Sequence, residues 1–233
     1  MALLLWAGVE APRIARSDDA IKARWRKHWA QRLLRVMHVT VEQHGAVPQG
    51  GLLVSNHLGY LDVVVYGSVI DGTFLSKAEV AQWPLLGPLT RAANTVFVER
   101  DSARSTAAAN RQIATLLEQG QEVLIFPEGT SSGGEDVLPF QSPFFDAPQR
   151  TGAPVWAAAV AYRAALEHGT VAERVCYWGD MVIGPHLFGL LCVRSIAATV
   201  WFAEAPLAIK DRRAGAVEAH GVVAGLHAQA LRG

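Results

Sequence analysis

Gly51-Leu52-Leu53-Val54-Ser55-Asn56-His57-Leu58-Gly59-Tyr60-Leu61-Asp62 reads as a short apolar strand, Gly51–Val54, that breaks into a polar turn and enters a helix near Gly59. The strand is continuously apolar rather than alternating, as expected for one covered on both faces by helices. The same strand, turn and helix pattern recurs along the chain. Further strands are predicted at Thr73–Leu75, Thr95–Val98, Glu122–Phe126, Val155–Ala161 and Ile196–Phe202. Helical stretches separate them, most clearly Ser102–Gln119, where Ile113, Leu116 and Leu117 share a face and Gly120 supplies a stop. The fold expected is a single α/β domain with a central mostly parallel or mixed sheet flanked by helices, preceded by an N-terminal basic amphipathic helix.

That preceding helix follows Ser17 and Asp18, either of which can cap it. Ile21, Trp25, Trp29, Leu33 and Val36 recur at three- and four-residue spacing, which predicts one apolar stripe. Around it stand Lys22, Arg24, Arg26, Lys27, Arg32 and Arg35, with no acidic residue from Lys22 to Arg35. Such a helix can lie in a membrane interface, or pack on a core with a solvated basic face. The apolar start Ala2-Leu3-Leu4-Leu5-Trp6-Ala7 is far shorter than the roughly 20 residues of a spanning helix and lacks the order of a signal peptide. It reads as a membrane-dipping or packing segment. Pro185–Val193 is also apolar, but glycine breaks it and Arg194 bounds it, so it reads as buried or membrane-facing.

With 51% hydrophobic and 18% charged residues the chain of 233 can bury one substantial core, and it contains no linker-like stretch. Basic and acidic residues balance at 21 each, so no net field attracts nucleic acid. Cys176 and Cys192 fit neither a metal site nor a disulfide scaffold, which favours a reducing compartment. The histidines other than His57 are scattered, including His186 and His227, and imply no metal site.

The candidate chemistry begins at His57, which leaves a strand at the rim where α/β proteins hold ligands. Asp62 lies five residues on, and the first turn of a helix can swing its carboxylate back to one ring nitrogen, leaving the other to take a proton. Such a pair needs a substrate hydroxyl as nucleophile, because no Ser or Cys stands in a nucleophile elbow. Phe126-Pro127-Glu128-Gly129-Thr130-Ser131-Ser132-Gly133-Gly134 follows the most apolar strand, and small residues there can turn backbone N–H groups toward an anion or acyl oxygen. It is not a P-loop, since no lysine follows the glycines. Glu128 can orient an arginine or accept a hydrogen bond from an acceptor. Val96-Phe97-Val98-Glu99-Arg100 ends a strand in arginine, and Phe74-Leu75-Ser76-Lys77 ends another in lysine; both side chains can engage phosphate.

Taken in order, His57 with Asp62, then Phe97-Val98-Glu99-Arg100, then Phe126-Pro127-Glu128-Gly129-Thr130 resemble the motifs of the glycerolipid acyltransferase family, which includes bacterial 1-acylglycerol-3-phosphate acyltransferases. The resemblance runs from Asn56 to about Ala157. It implies that His57 is the general base, Asp62 its partner, and Arg100 with the Glu128-Gly129 segment the acceptor site; Lys77 at its strand end and Thr130 beside that segment are candidate substrate-binding residues from their own chemistry. It also implies direct transfer from acyl-CoA or acyl carrier protein as co-substrate, with no resident cofactor. Asn94 stands where a glycine is usual, and Ala153-Pro154-Val155-Trp156-Ala157 lacks a second proline. The stretch Tyr177–His186 is similar to a bacterial branch with members that acylate lyso-ornithine lipid. On this reading residues 1–40 are a membrane-associating helical segment and 41–233 the acyltransferase domain, peripheral or monotopic on the cytoplasmic face of the cell membrane. Backbone N–H groups near Gly129 and Thr130 are expected to hold the oxyanion. A thioesterase using the same base, or a non-catalytic membrane binder, are the readings from other classes.

Overall fold

The computed structural model describes residues 2–77, 90, 95–98 and 103–232. Two helices open the chain, α1 (Ala2–Ile14) and α2 (Asp19–Val36), followed by β1 (Val39–His44), β2 (Gly51–Ser55), α3 (Tyr60–Val69), β3 (Thr73–Lys77) and β4 (Thr95–Val98). Then come α4 (Ala103–Glu118), β5 (Glu122–Ile125), a 3-10 turn at Ser142–Phe145, α5 (Asp146–Thr151) and β6 (Val155–Ala164). The short helices α6 (Val171–Arg174) and α7 (Ile183–Leu191) lead to β7 (Ile196–Phe202) and the long C-terminal helix α8 (Arg212–Arg232).

The strands form one sheet in the order β1-β7-β6-β2-β5-β3-β4. Every neighbouring pair is parallel except β6 with β7. The expected mixed α/β sheet is therefore what forms. β2 sits in the middle, and its alternate side chains feed two cores. Leu53 faces Leu34, Val65, Tyr66 and Ile70, while Leu52 and Val54 face Ile113, Leu117, Phe145, Ala219 and Val223. Both sets are nearly or fully buried, and burial on both sides of the sheet is the main stabilising contribution.

Each expected strand is present, with ends shifted by up to three residues. β1 was not anticipated. Only Val39 of its six residues is buried, so an edge strand rich in Thr, Glu, Gln and His carries little apolar signal.

The first segment differs from its reading in one respect. Asp18 is the cap of α2, accepting from Ile21 N at 2.8 Å, but the buried face is Ala23, Arg26, Ala30 and Leu34 rather than the tryptophan stripe. Small residues allow α2 to approach α3 closely, with Arg26 and Ala30 lying against Gly67. Trp25 and Trp29 turn instead toward α1, where both indole N–H groups donate to Glu10 Oε2 at 2.8 and 3.0 Å. Arg26, grouped with the surface cations by its sequence position, is 5% exposed and donates to Ile70 O at 3.0 Å across the face of Phe74. Burial lowers its pKa to about 10. Arg24, Arg32 and Arg35 are exposed, and Lys27 meets Asp71 at 3.6 Å. Among the described residues no helix is long and apolar enough to cross a membrane.

Candidate active site

β2 and β5 are parallel neighbours, with Val54 beside Ile125, so the segments that follow them leave the sheet side by side at one rim. His57 stands two residues past β2, and Phe126 directly follows β5. Their rings stack with centroids 4.2 Å apart at 13°. The two segments are also joined through the backbone. His57 N donates to Glu128 Oε1 at 2.7 Å, and Ser132 N donates to His57 O at 2.9 Å.

His57 Nδ1 lies 2.8 Å from Asp62 Oδ2, and α3 begins at Tyr60, so the carboxylate does swing back from the first helical turn. Asp62 is fully buried. Its Oδ2 also accepts from Leu58 N at 2.6 Å and Gly59 N at 3.0 Å, and its Oδ1 accepts from the Tyr162 hydroxyl at 2.6 Å. A carboxylate so held is an acceptor only, which makes Nδ1 the protonated nitrogen of the neutral ring and puts the lone pair on Nε2. The His57 side chain is 23% exposed, and among the described residues nothing hydrogen-bonds to Nε2. The turn depends on Gly59, whose φ is +144° and where a Cβ would sit 2.8 Å from Tyr177 N.

Glu128 is 4% exposed. Besides His57 N its carboxyl accepts from Leu138 N at 3.1 Å, and its own carbonyl accepts from Gln141 Nε2 at 3.1 Å. Burial raises its pKa to about 7, against the lowering effect of the two backbone donors. Gly129 has φ +75°, and a Cβ there would collide with Gln141 Nε2. Its N–H closes a turn onto Phe126 O at 3.1 Å, so it is already engaged and does not point outward as an oxyanion donor. Thr130 is exposed, and among the described residues nothing accepts its N–H.

β3 and β4 run parallel to β5 and end at the same rim. Lys77 is the last residue of β3. Arg100, two residues beyond β4, and Asn94 lie outside the described residues.

Further residues join the site once the chain is folded. Asn56, just past the end of β2, is clamped to the middle of β6, donating to Val160 O at 2.9 Å and accepting from Val160 N at 2.9 Å, which fixes the turn that aims His57. Tyr162 lies two residues along β6 from that clamp, so its inward parity places its hydroxyl over Asp62. His227 of α8 is 3% exposed, with Nε2 2.9 Å from Gly134 O and Nδ1 3.4 Å from Asn56 Nδ2. A cavity of about 300 Å³ is walled by Leu58, Tyr162, Cys176 and His227. The signal for Asn56 was its place beside His57; Tyr162 and His227 become visible only once β6 and α8 are seen to pack there.

The family described as Acyltransferase matches residues 38–161, more than half of the chain. Over 200 residues the chain is 33% identical to a protein of Rhizobium meliloti named lyso-ornithine lipid O-acyltransferase, covering 80% of this chain and 68% of that one. Over 115 residues it is 37% identical to a 1-acyl-sn-glycerol-3-phosphate acyltransferase of Neisseria gonorrhoeae, covering 49% and 45%. Among solved structures, the 1-acyl-sn-glycerophosphate acyltransferase PlsC of Thermotoga maritima superposes with a TM-score of 0.67 over 98% of this chain and 94% of that one. At 16% identity this likeness establishes the fold. With the histidine and carboxylate pair of the sequence motif assembled inside the matched region, this chain belongs to the acyltransferase family.

Proposed function

We propose that the protein transfers a fatty acyl group from a thioester carrier, acyl-CoA or acyl carrier protein, to the free hydroxyl of a lysolipid, with His57 as general base. The observation that carries this reading is the 2.8 Å contact of His57 Nδ1 with a buried Asp62 whose oxygens are otherwise taken by Leu58 N, Gly59 N and Tyr162 Oη. Nε2 accepts the proton of the acceptor hydroxyl as its oxygen attacks the thioester carbonyl. Asp62 stabilises the imidazolium that forms. Collapse of the tetrahedral intermediate breaks the C–S bond, and the imidazolium returns its proton to the departing sulfur. The Thr130 N–H, unlike that of Gly129, has no acceptor among the described residues and is a donor for the developing oxyanion. Glu128 serves this chemistry indirectly, by anchoring the backbone of His57. Lys77 ends a strand at this rim, and together with Arg100, which follows β4 by two residues in sequence, it suits an anionic head group.

For the acceptor, 1-acylglycerol-3-phosphate is the first reading. Lyso-ornithine lipid is the second, favoured by the extent of similarity: the lyso-ornithine lipid relative aligns over 80% of this chain and the phosphatidate-type relative over 49%. Exposed Arg24, Arg32 and Arg35 on α2 suit attachment to an anionic membrane surface on the cytoplasmic side.

The test supplies purified protein with acyl-CoA or acyl carrier protein and each lysolipid in turn, with thiol release and mass spectrometry of the product as readouts. Thiol release that requires an acceptor is the expected result, and the acceptor that gains mass identifies the substrate. Release without acceptor would assign a thioesterase, and no release with any carrier or lysolipid would assign a non-catalytic binder. His57→Ala lowers kcat by about 10²–10⁴-fold with unchanged membrane association.

A further inference from the structure

β6 runs parallel to β2, so the connection from β6 to β7 begins at the rim that carries His57. Within it, residues 181–193 include no Asp, Glu, Lys or Arg. Helix α7 occupies most of this run. One side faces the protein: Leu190 is fully buried and Ile183 and His186 are half-buried. The opposite side, Gly184, Leu187, Phe188 and Leu191, follows helical spacing and faces outward, with Phe188 73% and Leu191 50% exposed. Val182, 67% exposed, and Trp178, 40% exposed, extend the same surface. A helix on a water-facing surface carries polar residues outward, whereas one that is apolar all round belongs in a core or a membrane.

Four contacts tie this surface to the candidate site. The Tyr60 hydroxyl, on the first residue of α3, lies 2.8 Å from His186 Nδ1. Tyr177 N donates to Leu58 O at 2.8 Å, and Ser131 Oγ donates to Tyr177 O at 2.6 Å. Trp178 donates its indole N–H to Ala172 O at 2.9 Å, and its ring lies against Gly133. Arg174 reaches Gly189 of α7 and sets a cation at the edge of the apolar face. Nine helical residues extend about 13 Å, too short to cross a bilayer and too small for the roughly 800 Å² per partner of a stable protein interface. Interfacial insertion is the burial that fits this size, and the cation at its edge complements anionic head groups.

We propose that α7 inserts into the bilayer interface, laying Val182, Leu187, Phe188 and Leu191 against lipid chains with Trp178 and Arg174 at head-group depth, and so seats the His57 rim on the membrane that holds the acceptor. This rests on the acceptor being a membrane lysolipid, and the test separates the two claims by reading binding and turnover apart. Vesicles of phosphatidylcholine with about one quarter phosphatidylglycerol are mixed with the full chain and with the double variant Phe188→Ser, Leu191→Ser. The variant loses about tenfold in vesicle affinity, and its turnover of lysolipid held in vesicles falls to match. Turnover of a short-chain lysolipid analogue dissolved below its micellar concentration stays the same. A fluorophore attached at Phe188→Cys in a Cys192→Ser background shifts to the blue and becomes quenchable by lipid-borne quenchers when vesicles are added. Unchanged vesicle affinity of the double variant, or a label that stays in water beside vesicles, overturns the proposal. A label already shielded without lipid also overturns it, assigning the face to another part of the chain if the shielding is independent of protein concentration and to a second copy if it is not. Should no lysolipid be turned over at all, vesicle affinity and label depth still decide the role of α7.

Discussion

At the scale of single residues, His57 is aimed from three directions: its ring by Asp62, its stacking face by Phe126 and its backbone N–H by Glu128. Tyr162→Phe removes one of the hydrogen bonds to a fully buried carboxylate and is expected to cost about 1–3 kcal/mol, measured by urea denaturation, with a drop in kcat smaller than that of His57→Ala. Glu128→Gln places an amide N–H₂ against either His57 N–H or Leu138 N–H. Its expected cost is again about 1–3 kcal/mol, together with a fall in kcat at unchanged KM for the acyl carrier. A variant with full kcat would deny Glu128 its positioning role. The spacing of His57 and Asp62 was legible because the first turn of a helix connects them directly. The long-range partners Tyr162 and Asn56 were not, because 100 and 104 residues separate them from the atoms they meet, and only strand order brings them near. The burial of Glu128 and its two backbone donors were not legible either, because its neighbours in sequence are glycines and hydroxyl residues and the cover comes from the fold.

Among the elements, α2 shows how pattern and packing part company. Its cap and length follow from Asp18 and the periodic apolar residues, yet small side chains and not the tryptophans make its interface with α3. Helical periodicity fixes which residues share a face, but the face that a core selects depends on how closely the neighbour can approach. Two outcomes distinguish the cations of this helix. Arg26→Ala strips a charged hydrogen bond from Ile70 O and is expected to destabilise by about 1.5–3 kcal/mol in thermal or urea melts. The pair Arg24→Gln with Arg32→Gln changes stability by less than about 0.5 kcal/mol and weakens binding to anionic vesicles in a salt-dependent way. Unaltered vesicle binding would remove α2 from the membrane surface.

Over the whole molecule, two carboxyls at opposite ends of β5 link stability to pH. Glu122 opens the strand, its Oε1 has no hydrogen-bond partner among the described residues, and burial together with Asp71 raises its pKa to about 7. Glu128, beyond the other end, is likewise raised to about 7. The folded state therefore binds these protons more tightly than the unfolded chain, with its ordinary value of 4.5. The stability they contribute is complete below pH 4.5 and is lost as the pH rises through about 7. Glu122→Gln cannot lose a proton, so its stability relative to the native chain is expected to improve by of order 1–3 kcal/mol between pH 5 and pH 8, read from urea midpoints at both values. A constant difference between the two proteins would refute the linkage.

The seam between the two motif-bearing turns has a consequence for recombination. Residues 55–62, 126–141 and 177 are stitched to one another by His57 N to Glu128, Ser132 N to His57 O, Tyr177 N to Leu58 O and Ser131 Oγ to Tyr177 O. A chimera with a relative whose crossover falls between Asp62 and Phe126 inherits the halves of that seam from different parents. Domain shuffling aimed at new lipid preferences should therefore exchange all of these loops as one cassette and place its joints in the helices behind the sheet.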